Sequence, residues 1–351
     1  MNFQDALTRL IQHCDFSRDE MLEIMRQIMT GAYTPVQIAG FVMAMRVKGE
    51  KYIEIAAAAE VMREMASRVV VKDPSYLVDT CGTGGDGIHT FNVSTASAIV
   101  ASAAGARVAK HGGRSVSSTC GSADVLEALG VAVSLSPEAV SRSIDTLGIG
   151  FMFAPNFHSA MKHAVAVRRE LGVRTLFNLL GPLTNPAGAK RQVMGVFHAD
   201  LVPLLARVLG ELGSEHVLVV HGADGMDEIS ISRETYIAEL RDGAIIEYRI
   251  APEDFGMSRQ PLASIQVNSV NEACQMFIDV LNGVSGAAAD IVRLNAGAAI
   301  YASGVSSTLV AGIDMADEVI CSGAAQMKME SLKNYSQELL AIDSDPLADL
   351  S

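Results

Sequence analysis

The feature that most limits the fold is a change of texture at Asp73-Pro74. Beyond it, short apolar runs closing in glycine-rich turns alternate with helix-period segments; the runs fall at 76–80, 106–110, 150–154, 192–198 and 216–221. Parallel neighbours need a crossover between them, and strands covered on both faces carry apolar runs instead of alternating ones. The pattern therefore predicts an α/β unit with a mostly parallel central sheet. Two further strand-like runs, 235–240 and 244–250, and long helices including 287–303 complete it.

Upstream of Asp73 the chain reads as helical throughout. Met21, Ile24, Met25 and Ile28 repeat at i, i+3, i+4, i+7 before Gly31, a predicted helix stop. Ile38, Phe41, Val42 and Met45 repeat the spacing after Thr34, a predicted N-cap, and Pro35 at the first helical position. A fourth helix is expected over 52–68, and an apolar-faced helical stretch over 157–181 is expected to pack back on these helices. At 351 residues the chain exceeds what one core usually organises, so a large domain and a smaller one are expected.

Composition narrows function. Hydrophobic residues make up 49% and charged residues 19%, the balance of a well-buried globular protein. A net charge of −13 argues against nucleic acid, which requires a basic stripe, and leaves any phosphate chemistry to local cations. Five scattered cysteines without a CxxC suggest neither a disulfide framework nor a zinc site. The opening MNFQDALTRL has no long apolar run, and the small-residue stretch 96–109 is interrupted by Ser97, Ser102 and Arg107. A cytoplasmic protein with no membrane partner is the expectation.

The densest chemical signal is Asp79-Thr80-Cys81-Gly82-Thr83-Gly84-Gly85-Asp86-Gly87 at a predicted strand end. Glycines let backbone N–H groups approach a ligand closely, and a concavity of amides suits phosphate. Phe91-Asn92-Val93-Ser94-Thr95 follows, with Asn92 or Ser94 placed to cap a helix whose N-terminus can hold an anion. Gly82, Gly84 and Gly87 also satisfy G-x-G-x-x-G, but a dinucleotide site needs an acid about 20 positions on. No Asp or Glu occurs between Ile88 and Ala123, so NAD binding is not expected, and a Walker lysine is absent from the loop.

Lys110-His111-Gly112-Gly113-Arg114-Ser115-Val116-Ser117-Ser118 gathers three basic or potentially basic groups and three hydroxyls at the next predicted strand end. Alone it could be a polar turn; its place one βα unit after the glycine loop puts both on one sheet edge, where ligands of open sheets bind. Asp227 and Glu228, in Gly225-Met226-Asp227-Glu228-Ile229-Ser230, can point into one crevice from a glycine-flanked turn. Magnesium accepts one or two carboxylates and completes its shell with water and substrate phosphates. Arg168, Arg169 and Arg174 are each able to grip a carboxylate with a planar fork, and the residues alone do not choose among them.

Taken together, GTGGD, NVST, KHGxR and GMDEIS, in this order and over essentially the whole chain, resemble the anthranilate phosphoribosyltransferases. The resemblance implies a small helical domain hinged to a large α/β domain, usually as a homodimer. The small domain would be 1–72 joined by about 166–183, and the large one 73–165 with 184–351. It implies transfer of the 5-phosphoribosyl group from phosphoribosyl pyrophosphate to anthranilate, with pyrophosphate released, in tryptophan biosynthesis. Gly82, Gly85, Asp86, Thr90, Asn92, Val93, Ser94 and Thr95 match the donor site, with Lys110 through Ser118 and Ser122 completing it. Ser94, Asp227 and Glu228 match its Mg2+ contacts. Arg168 matches the arginine for the anthranilate carboxylate, with Gly82, Gly113 and His158 beside it. Lys110 is expected to steady the departing anion. His111 is the candidate for a modest proton or polar role, or is simply structural.

One position departs. The family usually reads Lys-His-Gly-Asn-Arg with the Asn contacting anthranilate, and this chain has Gly113 there. Losing a hydrogen bond to a charged ligand costs about 1.5–3 kcal/mol, so a raised acceptor KM with surviving activity is expected. A different aromatic acceptor, a pyrimidine nucleoside phosphorylase of the same fold and a nucleic-acid-binding relative are the alternatives. The phosphorylase would lack the acidic pair and the carboxylate-binding arginine.

Overall fold

The computed structural model describes residues 1–114 and 120–344. Four helices open the chain: α1 (Phe3–Ile11), α2 (Arg18–Met29), α3 (Pro35–Lys48) and α4 (Tyr52–Met65). Their boundaries follow local chemistry. Ser17 and Glu20 close a capping box on α2, and Thr34 with Gln37 does the same for α3, with Pro35 at its first position. Gly31, at φ +79°, follows α2 as the expected stop. Helix α4 ends at Met65, short of the predicted Arg68. Glu54, fully buried, ties three of these pieces together. It accepts from Phe16 N at 2.8 Å, Lys51 N at 2.8 Å and Lys48 Nζ at 2.8 Å.

The strands and helices that follow are β1 (Leu77–Gly82), α5 (Val93–Ala103), β2 (Arg107–Gly112), α6 (Ser122–Ala128), α7 (Pro137–Leu147) and β3 (Ile149–Phe153). Next come α8 (Ala154–Phe157), α9 (Lys162–Leu171), α10 (Leu176–Leu180), β4 (Arg191–Gly195), α11 (Leu201–Glu211) and β5 (His216–Gly222). The chain ends with β6 (Thr235–Arg241), β7 (Ala244–Ile250), α12 (Val270–Leu281), α13 (Ala287–Ser303), α14 (Leu309–Cys321) and α15 (Ala324–Asp343). The stretch expected to be one helical run over 157–181 is broken into α9 and α10. Gly172, at φ +61°, ends α9, and Asn178 Oδ1 accepts from Thr175 N where α10 begins. Both helices pack on the N-terminal ones, α9 on α2 and α3, α10 on α3 and α4.

The seven strands form one sheet in the order β3-β2-β1-β4-β5-β6-β7. The first five are parallel; β6 and β7 add an antiparallel hairpin turned by Asp242 and Gly243, both at positive φ. Strand β5 explains why the central runs lack polar alternation. Val217 and Val219 enter the core shared with the N-terminal helices, α10 and α11, whereas Leu218 and Val220 enter the core beneath α5 and α13. One apolar core thus runs without a break from the helical bundle to one face of the sheet. The chain leaves β1 for β2 on one side and reaches β4 on the other. The strand order therefore reverses at β1, opening a crevice beyond the carboxyl ends of β1 and β4.

Candidate active site

That crevice is where the acidic pair arrives. The loop after β5 is held by Asp224, whose carboxylate accepts from Ser230 Oγ at 2.5 Å, Ser232 Oγ and Met226 N at 3.3 Å. Behind it, the buried Asn295 of α13 accepts from Ile229 N and donates to Ile229 O and Ile291 O, each at 2.9 Å. This clamp fixes the residue after Glu228. The Asp227 backbone lies so close over β1 and β4 that a Cβ on Gly195 would overlap Asp227 O, and one on Gly82 would overlap Asp227 Oδ2. Glycine at the ends of both strands is what lets the loop in.

Both carboxylates then take backbone donors from the sites expected to hold phosphate. Asp227 Oδ2 accepts from Gly84 N at 2.7 Å, and Glu228 Oε1 accepts from Ser94 N at 3.1 Å. The second bond corrects an expectation about capping. Asn92 occupies the N-cap position of α5, but its side chain makes no cap bond and donates instead to Cys120 O at 3.1 Å. The helix end is satisfied by a carboxylate 134 residues away in sequence.

The electrostatics are those of crowded acids. Burial and the neighbouring Asp86 push Asp227 up to about 7, and burial with Asp227 beside it pushes Glu228 well above its usual range. Lys110 is also buried, and its Nζ donates to Thr80 O at 2.6 Å and Ser94 Oγ at 3.2 Å. Burial lowers its affinity for a proton, while Asp79 raises it. Asp79 itself, at the base of the site, accepts from His111 N at 3.3 Å. Among the described residues no three His, Cys, Asp or Glu side chains form a closed metal cage. Two half-buried, mutually repelling carboxylates beside a phosphate-type loop do fit an ion that keeps most of its shell for water and phosphate. Asp227 and Glu228 are the residues to hold it.

His111 and His158 stack edge to face at 5.0 Å between ring centroids. Burial holds His111 at about 3 and His158 at about 4, while each ring bonds a backbone group, Gly181 and Thr184 respectively. Each Nε2 is buried without a partner among the described residues. Both rings are therefore neutral near pH 7 and able to accept a hydrogen bond, not to act as acids.

The remaining expected residues divide. Ser122 Oγ accepts from Thr95 Oγ1 at 3.1 Å and lines Gly112, so β2 and α5 share one wall. Thr90 bridges Gln266, and the buried Val93 opens α5. Arg114 is pinned by Asp124 at 2.9 Å and Glu127 at 2.6 Å, so its charge is already paired. Gly113 has open space where a Cβ would be. Ser115, Val116, Ser117 and Ser118 lie outside the described residues. Arg168, on α9, is half-buried, and burial depresses its pKa; among the described residues it makes no ion pair and no side-chain hydrogen bond to the glycine loop. Arg174 does reach that loop. Asp79 was read only as the start of the glycine-loop motif, with no role of its own; Gly195, Asn295 and Phe197 were not singled out by the sequence, and a strand-end glycine was the only cue any of these three offered.

A mostly parallel sheet with glycine-rich loops and an acidic pair at its switch point, backed by a helical bundle, is the architecture of a two-domain glycosyl transferase. Two family models agree. Residues 75–326 match the glycosyl transferase family α/β domain, and residues 4–66 match its helical bundle domain. The chain is 61% identical to the anthranilate phosphoribosyltransferase of Methylobacillus flagellatus, over 95% of this chain and 97% of that protein. It is also 61% identical to the one of Thiobacillus denitrificans, over 95% and 98%. The chain belongs to the anthranilate phosphoribosyltransferase family. Among solved structures, the Thermus thermophilus enzyme matches with TM-score 0.90 at 43% identity, covering 95% of this chain and 99% of that one. The Saccharomyces cerevisiae enzyme in complex with PRPP and Mg matches with TM-score 0.84 at 27% identity, covering 96% and 98%.

Proposed function

We propose that this protein transfers the 5-phosphoribosyl group of phosphoribosyl pyrophosphate to the amine of anthranilate, in tryptophan biosynthesis. The observation that carries the reading is the placement of Asp227 and Glu228 on Gly84 N and Ser94 N, which joins the acidic pair to the glycine loop and to the start of α5. The identity of the relatives supports the acceptor. In the reaction the amine nitrogen bonds to the anomeric carbon as the bond to pyrophosphate breaks. The electron pair leaves with pyrophosphate, and the nitrogen then sheds a proton.

The chain's own groups stabilise charge and fix orientation. Lys110 and the glycine-loop amides other than Gly84 N, which Asp227 takes, would offer fixed positive potential to the departing anion. A magnesium ion held by Asp227 and Glu228, with Ser94 beside them, would supply further charge neutralisation there. Asp86, Thr90, Asn92, Thr95 and Ser122 would position the donor, with Gly82, Gly113, His158 and Arg168 around the acceptor. Because His111 is neutral, its role is to accept a hydrogen bond from the amine, and no strong base is needed. Assembly as a homodimer and a cytoplasmic location belong to this reading on the family resemblance alone; no helix among the described residues is long and apolar enough to cross a membrane.

The test is loss of anthranilate fluorescence in the presence of phosphoribosyl pyrophosphate and magnesium, repeated with EDTA. Turnover abolished by EDTA is expected. Absence of turnover at millimolar anthranilate would overturn the acceptor assignment.

A further inference from the structure

We infer that Arg174 is a donor-binding cation that grips the diphosphate end of phosphoribosyl pyrophosphate, an inference that rests on the proposed function. Arg174 stands in the short link between the αL cap of α9 at Gly172 and the start of α10 at Thr175. Its guanidinium crosses to the glycine loop and lies flat against Gly85: a Cβ there would meet Nη2 at 3.3 Å, Nε at 3.5 Å and Cζ at 3.7 Å. The guanidinium carbon is also 3.9 Å from the centre of the Phe197 ring, the distance of a face contact. Phe197 is in turn fixed to the same loop, since its N donates to Thr83 Oγ1 at 3.2 Å and Thr83 N donates to Gly195 O at 2.9 Å.

Stacking engages the face of a guanidinium and leaves its in-plane N–H groups available. Arg174 has no ion pair and no side-chain hydrogen bond among the described residues. Arg114, by contrast, is spent on Asp124 and Glu127. Around Lys110 and the glycine loop stand the carboxylates of Asp79, Asp86, Asp227 and Glu228, more acid than the Lys110 ammonium balances. An unpaired planar fork, held in place beside amides suited to phosphate, has the charge and the geometry for a diphosphate. Arg168 differs: it is half-buried on α9, and among the described residues it makes no hydrogen bond or ion pair to the glycine loop.

The test compares Arg174→Gln and Arg174→Lys with the parent chain by steady-state kinetics, together with calorimetric titration of pyrophosphate in magnesium. Loss of a charged contact is expected to raise both the donor KM and the pyrophosphate dissociation constant of Arg174→Gln about tenfold to hundredfold. The acceptor KM is expected to stay within about twofold, because the lost contact is with the donor. Arg174→Lys keeps the charge without the stacked fork and is expected to recover part of the loss, which a merely structural role would not produce. Unchanged pyrophosphate affinity in Arg174→Gln, or a change confined to the acceptor KM, would overturn the inference. Pyrophosphate binding needs no acceptor. A parent chain that binds pyrophosphate but leaves anthranilate untouched therefore sinks the proposed acceptor, while the titration still decides Arg174.

Discussion

At the residue scale, the site depends on positions that either leave room or remove ambiguity. Gly113 is neither at positive φ nor crowded, since a Cβ there meets no heavy atom within 4 Å among the described residues. An asparagine therefore fits, and Gly113→Asn is expected to lower the acceptor KM about tenfold or more by restoring one hydrogen bond to a charged ligand. Fluorescence kinetics at fixed donor checks it, and an unchanged acceptor KM would remove the idea. Asn295 acts from a distance. Replacing it by Leu strips the partner from Ile229 N and is expected to cost about 1–3 kcal/mol of stability. Urea denaturation measures that cost, and kcat is expected to fall with it as Glu228 loses its fixed neighbour. Lys110, the glycines and the acidic pair were legible because their density is unusual for an ordinary turn. Asn295 was not, nor was the role of Asp79: their value comes from partners 66 and 32 residues away, which no local pattern encodes.

At the element scale, helix starts were readable wherever the cap lies beside the helix, as at Ser17 and Thr34. At α5 the N-cap position, Asn92, was read correctly but its capping bond was not, because the helix donor Ser94 N is met by Glu228 from across the sheet. The helical run over 157–181 broke because Gly172 and Thr175 supply a stop and a start that the apolar period alone conceals. Glu54 shows how elements are locked to one another. It is the buried partner of Lys48, itself only 2% exposed, and joins the turn before α2 to the end of α3 and the beginning of α4. Glu54→Ala removes three hydrogen bonds and leaves the Lys48 ammonium with the half-exposed Asp15 and the carbonyl of Gly49. A loss of about 3 kcal/mol is expected, the low end for breaking a buried pair. Chemical denaturation checks it; a variant as stable as the parent would show that the network adds nothing.

At the scale of the whole molecule, the metal-free protein carries opposed proton linkages. Asp227, raised from 3.8 to about 7, contributes stability fully below about pH 4 and loses it as pH rises through 7. His111 and His158, lowered from 6.5 to about 3 and about 4, contribute above pH 6.5 and lose that contribution as pH falls through those values. A divalent ion at Asp227 opposes only the first loss, because it favours the ionised carboxylate. Magnesium is therefore expected to raise Tm more at pH 8 than at pH 5.5, by thermal melts with and without the ion; equal increments would contradict the carboxylate site. Taken alone, the sequence determined the helical beginning, the parallel sheet after Asp73-Pro74 and the chemistry of each loop, because apolar period, caps and glycine density act over a few residues. Only the tertiary structure decided which loops share a crevice, that Glu228 closes α5, and that Arg174 is the arginine lying on Gly85. Those facts depend on strand order and on packing between distant segments, and a chain's local pattern holds no record of either.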